Sequence, residues 1–535
     1  MRPEDEYFEK LTQQELWKRY CGFLDLSVQE FMSIQEELLL DQIERVWPST
    51  LGKKIIGESK PQTVEEFRHL VPLTTYDAYV PYLSERREDA LAFRPGLWCH
   101  SSGGRGEFKW IPHSPDSLER VSKACMSIIT LASTNERGKV DCGPGFRFLI
   151  VVPPAPYSSG ALIDSLAQSL TFRAMPPRDT ASSLPFQQRV AAGFQMALRD
   201  GVDVIAAIAS VLVKMGEQFE EQARSTKLTA SMLHPAVLGR LIRARMRAQR
   251  EHRPMLPRDF WPSKAIITAG MDTGIYKDAI KRYWGAEPYE FYACAETMMI
   301  AIQGWNKKGM YFLPDLAFFE FIPEAEVEKW QEDPTYQPST VLLDEVEEGR
   351  LYEVVITQFY GMPLLRYRMK DLVRFTGLQD EETGVKLPHI QFQRRVGETI
   401  DLAALARLDE RTIWEAISST GIRCADWAAL KEYDGDRAFL RLYIELKEDV
   451  PPERFAQMVD EQLKLIDVDY RDLESYLGLQ PVKVTSLPPG TFERYTERQR
   501  QAGADPAHFK PPHVNAPEKA LRMLFEAAHM TVDAS

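Results

Sequence analysis

The stretch Leu364–Phe375 reads LLRYRMKDLVRF, and its central part alternates charged side chains with apolar or aromatic ones. A period of two sends successive side chains to opposite faces of a β-strand. The same kind of alternation occurs in Ala317–Ile322 and Leu351–Ile356. We therefore predict a twisted antiparallel sheet over residues 310–376.

On the N-terminal side of this sheet, strand patterns alternate with helix patterns. Phe146–Val152 and Lys264–Thr268 are compact apolar runs with the length of a buried strand. Between them, apolar residues recur at helical spacing at about residues 161–170, 186–198, 206–222 and 235–249. This order predicts an α/β fold in which helices pack against a mixed sheet.

A domain boundary is predicted near residue 398, where the segment FQRRVGE at 392–398 leads into a polar stretch. Beyond it, Phe439–Leu446 and Pro481–Ser486 have strand patterns, and Pro451–Leu465 has the pattern of a helix begun by proline. The predicted organisation is a large domain, residues 1–397, followed by a smaller α+β domain, residues 398–535.

The composition is that of a globular protein with an acidic surface. The 535 residues include 65 basic and 78 acidic side chains, a net charge of −13, so we expect no nucleic acid and no membrane as partner. The six cysteines are scattered without metal-ligand spacing, and the acidic N-terminus lacks a signal-peptide pattern. A cytoplasmic location is therefore predicted.

The stretch His100–Pro112 reads HSSGGRGEFKWIP and is the first candidate for binding a ligand. Glycines let backbone N–H groups turn toward a phosphate, hydroxyls add donors, and basic side chains balance the charge. The alternative is a solvated turn. The candidate phosphate-binding residues are Ser101, Ser102, Gly103, Gly104, Arg105 and Lys109.

The second candidate is Tyr292–Thr297, which reads YACAET and precedes the apolar run Met298–Ile302. A carboxylate where a strand becomes a helix can bind Mg²⁺ together with phosphate oxygens, because Mg²⁺ prefers few protein ligands. Glu296 is that carboxylate. The alternative is an ordinary acid in the first turn of a helix.

The third candidate is Asp371 in Leu364–Phe375. An acid at the end of such a strand can accept hydrogen bonds from both hydroxyls of a ribose, while the neighbouring Arg366 and Arg368 can meet phosphate or carboxylate. The alternative is a ladder of cross-strand charges on a solvated sheet face.

The last candidate is Lys510 in the segment AHFKPPHV, residues 507–514. A lysine beside two prolines lies on a stiffened loop, which can enter a cleft as one unit. The alternative is a solvated lysine without a role.

In this order the four segments resemble the adenylate-forming ligase superfamily, in particular the auxin-responsive acyl acid-amido synthetases, the Gretchen Hagen Three family. That family has a Ser/Gly-rich phosphate loop, a Tyr-x-Ser-Ser-Glu segment, a Tyr-Arg-Tyr-Arg-x-Gly-Asp-x-Val strand and a Phe-x-Gly-Arg hinge. The similar segments here are Ser101–Pro112, Tyr292–Glu296, Leu365–Val373 and Phe392–Arg395.

The resemblance implies a large N-terminal adenylate-forming domain that binds ATP and an acid, and a mobile C-terminal domain that swings between two half-reactions. It implies ATP and Mg²⁺ as cofactors, with Glu296 on the metal and Lys510 reaching the α-phosphate and the acid, so these two residues are the catalytic candidates. Arg395 would lie at the hinge. The implied ATP-binding residues are Ser101, Ser102, Gly103, Gly104, Arg105, Lys109, Tyr292, Ala295, Asp371 and Arg395.

The chain departs from the family pattern at several of these positions. Gly104 and Arg105 stand where the pattern has hydroxyl residues, and Ala295 replaces the serine before the glutamate. Lys370 replaces the glycine before Asp371, and Arg394 replaces the glycine of the hinge. The lost hydroxyls predict weaker phosphate binding unless Arg105 and Lys370 compensate.

The expected function is ATP-dependent activation of a carboxylic acid to an acyl-adenylate, followed by amide formation with an amino acid or another amine. One alternative is transfer to coenzyme A, because the strand around Asp371 also resembles aryl-CoA ligases. A second alternative is a non-catalytic homologue whose phosphate loop has degenerated.

Overall fold

The chain forms two compact units, which divide between Arg394 and Arg395. The computed structural model describes residues 2–100, 109–184, 186–224, 235–269, 273–333, 335–396, 399–402, 406–435, 437–477, 481–501, 513–516 and 518–528. Within these ranges, none of the helices combines the length and the apolar character that crossing a membrane requires.

Several helices of the first unit begin after a residue whose side chain accepts a hydrogen bond from a free N–H group of the first turn. The Ser27 hydroxyl accepts from the Glu30 N–H, and the Glu30 carboxylate accepts from the Ser27 N–H. Ser114 caps a helix whose first residue is Pro115. In chain order the helices are α1 Pro3–Lys10, α2 Gln13–Cys21, α3 Val28–Val46, α4 Thr50–Ile56, α5 Val64–Leu70, α6 Pro115–Ser133, α7 Ser158–Ser169, α8 Arg178–Ser183, α9 Phe186–Asp200, α10 Ala209–Arg224, α11 Pro235–Arg250, α12 Pro257–Phe260, α13 Thr273–Trp284 and α14 Glu324–Glu332.

The strands of the first unit form a hairpin and one large mixed sheet. They are β1 Leu97–His100, β2 Trp110–His113, β3 Arg147–Val151, β4 Arg173–Met175, β5 Val204–Ile208, β6 Ala265–Ala269, β7 Tyr289–Cys294, β8 Met298–Gln303, β9 Met310–Phe312, β10 Ala317–Pro323, β11 Leu351–Gln358, β12 Tyr367–Gly377 and β13 His389–Arg395. Strands β1 and β2 pair with each other. In the described part of the chain, the large sheet has the order β10-β11-β12-β13-β9-β8-β7-β6-β5-β3-β4.

The large sheet changes from parallel to antiparallel pairing at β7. Strands β3 to β7 pair in parallel, and β7 pairs with β8 in antiparallel fashion. Strands β10, β11 and β12 are also antiparallel. The predicted α/β class and the predicted antiparallel sheet over residues 310–376 are therefore confirmed.

One sequence-based interpretation in this unit is wrong. Residues 206–208 were expected in a helix but lie in β5, because the apolar run Val202–Val213 holds a short buried strand followed directly by α10. The alternating segment Ala317–Ile322 is a strand as predicted, and all its residues are buried. The alternation there reflects Glu320, which is a buried acid with an internal partner.

The second unit is α+β, as predicted. Its strands are β14 Thr399–Leu402, β15 Ala406–Asp409, β16 Cys424–Asp434, β17 Arg437–Leu446 and β18 Val482–Ser486, and its helices are α15 Glu410–Ser419, α16 Pro452–Ile466, α17 Val468–Leu477, α18 Thr491–Gln501 and α19 Glu518–Ala527. Strand β17 pairs with β16 in antiparallel fashion and with β18 in parallel. Strand β16 was not anticipated from the sequence.

Candidate active site

The hairpin turn between β7 and β8 carries Glu296. Residues 295–297 form this turn, and Met298 continues from it with a φ of +66°, a left-handed conformation that non-glycine residues seldom adopt. Cys294 Sγ and Thr297 Oγ1 lie 3.1 Å apart across its base. The sequence-based expectation of a helix after Glu296 is therefore wrong, and so is the alternative that Glu296 is a first-turn helix acid.

Glu296 is a buried acid, with 7% of its surface exposed. Within the described ranges its carboxylate has no hydrogen bond and no ion pair. Burial raises the pKa of Tyr76 and of the Cys294 thiol, each to about 12, and the negative charge of Glu296 adds to this rise. A buried carboxylate without a counter-charge is costly, so this side chain fits a divalent cation that phosphate oxygens also bind.

Tyr292 and Asp371 are brought together although 79 positions separate them. The Tyr292 hydroxyl donates to Asp371 Oδ2 over 2.6 Å, and both residues are buried. The Tyr292 ring also packs edge-on against Phe392, with 5.8 Å between centroids. The predicted ATP-binding residues Tyr292 and Asp371 therefore belong to one cluster.

Asp371 is placed by a bulge in β12. Glu353 pairs with Leu372 and Val355 pairs with Arg368, so residues 369–371 of β12 lie opposite the single residue 354 of β11. Lys370, within the bulge, has a φ of +58°. Bulges bend a strand and change the direction of its side chains. Lys370 stands where the family pattern has glycine, and its backbone takes a left-handed conformation that suits glycine.

The backbone around Glu296 is held by two residues that the sequence analysis missed. The buried His113 ring lies with Nε2 3.0 Å from the Ala295 carbonyl oxygen, so Nε2–H donates to it. Burial lowers the pKa of His113 to about 4, which keeps the ring neutral. The Gln358 side-chain amide donates to the Glu296 carbonyl oxygen. A polar residue ending the apolar strand β11 was a weak signal for Gln358; nothing in the sequence marks His113.

Lys109 and Trp110 connect the C-terminal end of the predicted phosphate loop to the same region. The Tyr76 hydroxyl accepts from the Trp110 N–H at 2.9 Å and donates to the Trp110 carbonyl at 3.2 Å. Lys109 Nζ lies 5.7 Å from the centre of the Tyr76 ring. Because the Glu296 charge also acts on Tyr76, Lys109 and Glu296 approach the same tyrosine.

The two arginines expected to meet phosphate or carboxylate ligands have protein partners instead. Arg366 makes bidentate hydrogen bonds of 2.9 and 2.8 Å to Glu320. Arg368 makes bidentate hydrogen bonds of 2.9 and 2.6 Å to Glu353. All four side chains are buried. The alternative of a charge ladder on a solvated face is wrong for the same reason.

An apolar cavity of about 60 Å³ lies against the parallel half of the sheet. Helices α6 and α7 cover it, and Phe291 and Met299 of the β7–β8 hairpin line it. The cavity is therefore adjacent to the strands that carry Tyr292 and Glu296. Further lining residues are Ile128, Phe148, Leu162, Leu166, Ala206 and Ile267.

Some of the predicted site residues lie outside the part of the chain that the structure describes. They are Ser101, Ser102, Gly103, Gly104, Arg105 and Lys510. Arg395 belongs to the second unit. Ala295 is buried in the turn and contributes its carbonyl oxygen to His113. Of the predicted residues, the first unit therefore joins Lys109, Tyr292, Ala295, Glu296 and Asp371.

The sequence of the chain matches three models of one family along most of its length. The GH3 (Gretchen Hagen Three) family N-terminal domain matches residues 22–289, the central domain residues 310–395 and the C-terminal domain residues 410–519. The chain is 25% identical over 516 residues to indole-3-acetic acid-amido synthetase GH3.8 of Oryza sativa subsp. indica, covering 83% of this chain and 82% of that protein. It is 24% identical to the probable indole-3-acetic acid-amido synthetase GH3.4 of Oryza sativa subsp. japonica, covering 97% and 90%.

Solved structures agree with this at the level of the fold. The acyl acid amido synthetase AtGH3.15 in complex with 2,4-DB superimposes with a TM-score of 0.51 at 18% identity, covering 97% of both chains. A 2-hydroxyisobutyryl-CoA ligase superimposes with a TM-score of 0.57 at 14% identity, covering 94% of this chain and 93% of that one. The predicted adenylate-forming fold and the predicted family are confirmed. The chain belongs to the GH3 family.

Proposed function

We propose that this protein is an ATP-dependent acid-amido synthetase. In the first half-reaction a carboxylate attacks the α-phosphorus of ATP and pyrophosphate leaves; in the second, an amine attacks the acyl carbon and AMP leaves. The GH3 relatives that the chain matches are described as amido synthetases, which supports this reaction. The observation that carries it is the buried Glu296 carboxylate, which lacks a counter-charge in the described residues. It lies on the same hairpin as Tyr292, whose hydroxyl donates to Asp371 of β12.

The polar cluster has a role for each member in this reaction. Asp371 would accept from the ribose hydroxyls, and Tyr292 orients that carboxylate by donating to Oδ2. Glu296 would hold Mg²⁺, which when bound offsets charge on the phosphates. His113 and Gln358 bind the carbonyl oxygens of Ala295 and Glu296 and so hold the backbone from which the carboxylate extends.

The apolar cavity is the proposed site for the acyl tail. Its lining side chains are almost all hydrocarbon, and none is charged. Such walls favour an uncharged, apolar tail, because a polar group would lose its hydrogen bonds to water there. The acid group would then lie toward the β7–β8 hairpin, where the polar cluster begins.

The second unit supplies the rest of the proposed mechanism. We assign to residues 398–535 the role of a mobile domain that turns about Arg395 and carries Lys510 to the α-phosphate and the acid. The loop residues Ser101, Ser102, Gly103, Gly104 and Arg105 would contact the phosphates together with Lys109. A small carboxylic acid and an amine or amino acid are the proposed partners, without nucleic acid or membrane, and the proposed location is the cytoplasm.

A product screen tests the function. The protein is incubated with ATP, Mg²⁺ and a panel of apolar acids, with amino acids or coenzyme A as acceptors, and products are read by mass spectrometry with AMP and ADP distinguished. We expect pyrophosphate, AMP and an amide. A thioester would instead identify an acyl-CoA ligase, and ATP binding without acyl-adenylate or pyrophosphate would identify a non-catalytic homologue with a degenerate phosphate loop.

A further inference from the structure

Tyr76 is a tyrosine with 8% of its surface exposed, and its hydroxyl bonds to the backbone of Trp110. The Trp110 N–H donates to the hydroxyl oxygen over 2.9 Å, and the hydroxyl donates to the Trp110 carbonyl oxygen over 3.2 Å. Burial raises the pKa of Tyr76 to about 12, so the hydroxyl is protonated at neutral pH and can make both bonds. The Trp110 N–H belongs to the peptide group that follows Lys109, so the tyrosine fixes the orientation of that peptide group.

The backbone that carries Tyr76 is tied to the chain at the start of β12. Residues Tyr76–Tyr79 form a 3₁₀ helix, and Thr74 precedes this helix by two positions. The Thr74 N–H donates to the Arg366 carbonyl over 2.8 Å, and the Arg368 N–H donates to the Thr74 carbonyl over 2.9 Å. Strand β12 also contains the candidate ribose-binding acid. Tyr76 therefore connects the strand of that acid to the start of β2.

Two opposite charges act on Tyr76. Lys109 Nζ lies 5.7 Å from the centre of the ring, within the range at which an ammonium group is attracted to an aromatic face. The negative charge of Glu296 adds to the rise of the tyrosine pKa that burial causes. Within the described ranges Glu296 has no ion pair, so the Lys109 ammonium lies near the ring and not on this carboxylate. A ligand with phosphates and a divalent cation needs this separation, because phosphate oxygens meet the ammonium and the cation meets the carboxylate.

We propose that Tyr76 is a positioning residue for the binding of ATP: its hydroxyl holds the peptide group between Lys109 and Trp110, and its ring keeps the Lys109 ammonium away from the Glu296 carboxylate. This proposal rests on the proposed function, which assigns the phosphates to Lys109 and Mg²⁺ to Glu296. A lysine has a flexible four-carbon stem. A fixed backbone and a ring contact reduce the conformational freedom that this stem loses when a phosphate binds.

The first test removes the hydroxyl and keeps the ring, in Tyr76→Phe. ATP–pyrophosphate exchange gives the KM values for ATP and for the acid, and calorimetry gives the affinity for Mg²⁺–tripolyphosphate. We expect the KM for ATP to rise about tenfold and the tripolyphosphate affinity to fall about tenfold, with the KM for the acid unchanged.

Tyr360→Phe is the matched control for this variant. Tyr360 also has 8% of its surface exposed, and its hydroxyl donates to the Asp315 carbonyl over 2.7 Å. The Arg120 guanidinium lies 6.0 Å from the centre of its ring. Tyr360→Phe should change neither the KM for ATP nor the tripolyphosphate affinity.

A double-mutant cycle distinguishes an effect through Lys109 from a general effect on the fold. Lys109→Met removes the ammonium group and keeps an unbranched side chain, so we expect weaker binding of tripolyphosphate. In the Lys109→Met background, Tyr76→Phe should have little further effect, because the group that it positions is absent. Additive losses would mean that Tyr76 does not act through Lys109 and would reject the proposal.

Other results would also decide against a positioning role. They are an unchanged KM for ATP in Tyr76→Phe, or an equal rise of the KM values for ATP and for the acid. If Tyr76→Phe does not fold, 3,5-difluorotyrosine in place of Tyr76 keeps the shape and lowers the hydroxyl pKa. The phenolate cannot donate to the Trp110 carbonyl, so the tripolyphosphate affinity should fall at a lower pH than in the wild type, and an unchanged pH profile would reject the proposal.

The two proposals can fail separately. A wild type that binds tripolyphosphate but has no pyrophosphate exchange would reject the proposed function, and the calorimetric cycle of Tyr76 and Lys109 would still decide on the positioning role. A wild type that does not bind Mg²⁺–tripolyphosphate would reject both proposals.

Discussion

Two kinds of buried acid occur in the large sheet, and their surroundings differ. Glu320 and Glu353, on β10 and β11, each receive two hydrogen bonds from one arginine. Glu296, in the β7–β8 turn, has no cationic partner in the described residues, and Asp371 receives the hydroxyl of Tyr292. All four acids are buried, so burial alone does not distinguish a ligand-binding acid from a structural one.

For Glu296, compared with Glu320 and Glu353, the distinction is the counter-charge. A buried ion pair is tolerated because the attraction between the two charges offsets the loss of their hydration. Removal of one member leaves the other charge buried and uncompensated. A carboxylate without such a partner destabilises the free protein and is stabilised only when a cation arrives. The same neutral substitution should therefore have opposite consequences at the two kinds of site.

The largest effect is expected for Glu353→Gln. The Arg368 guanidinium would stay buried without a carboxylate, so we expect the free energy of unfolding to fall by about 3 kcal/mol, measured by urea denaturation. The exposed pair of Glu6 and Lys10 provides the control, and Glu6→Gln should leave the transition unchanged. If Glu353→Gln were as stable as the wild type, the proposed difference between the paired acids and Glu296 would be rejected.

Glu296→Gln should have the opposite pattern. We expect adenylation to slow about a hundredfold with weaker dependence on Mg²⁺, while stability in the absence of metal stays the same or rises. Pyrophosphate exchange and urea denaturation measure the two effects. Glu290→Gln, on β7 of the same hairpin, is the control and should keep its activity. A loss of stability like that of Glu353→Gln would mean that Glu296 has a structural cation partner.

Tyr292→Phe should have a smaller effect. The variant removes the donor to Asp371 Oδ2, so we expect the KM for ATP to rise about tenfold with a smaller change in kcat. Tyr336→Phe removes a similar hydrogen bond of 2.6 Å to Glu326, at a residue with no proposed role, and should not change the KM. An unchanged KM in Tyr292→Phe would separate Asp371 from the binding of ATP.

The smallest effect is expected for Lys370→Gly. Lys370 has a positive φ in the bulge that places Asp371, and glycine adopts this conformation without strain. We expect the free energy of unfolding to rise by about 0.5 kcal/mol. Lys431→Gly in the regular strand β16 is the control and should lower stability. A loss of stability in Lys370→Gly would indicate that the lysine side chain matters more than the backbone strain.

Part of this site could be predicted from the sequence. The motif around Glu296 and the strand pattern around Asp371 identified both acids, because each lies in a short segment whose order along the chain is characteristic. The antiparallel sheet was predictable for a similar reason, since alternation is a local property. The short strand β5 was not, because a continuous apolar run fits a buried strand and a buried helix equally well.

The sequence alone therefore determined the fold class, the antiparallel sheet over residues 310–376 and the choice of Glu296 and Asp371 as candidate acids. Only the tertiary structure decided which acids have a counter-charge, because the partners come from other strands: Arg366 meets Glu320 over 46 positions. The bulge at Asp371 depends on the register of β12 against β11. His113 supports the Glu296 turn across 182 positions, and a contact between such distant residues leaves no local pattern in the chain.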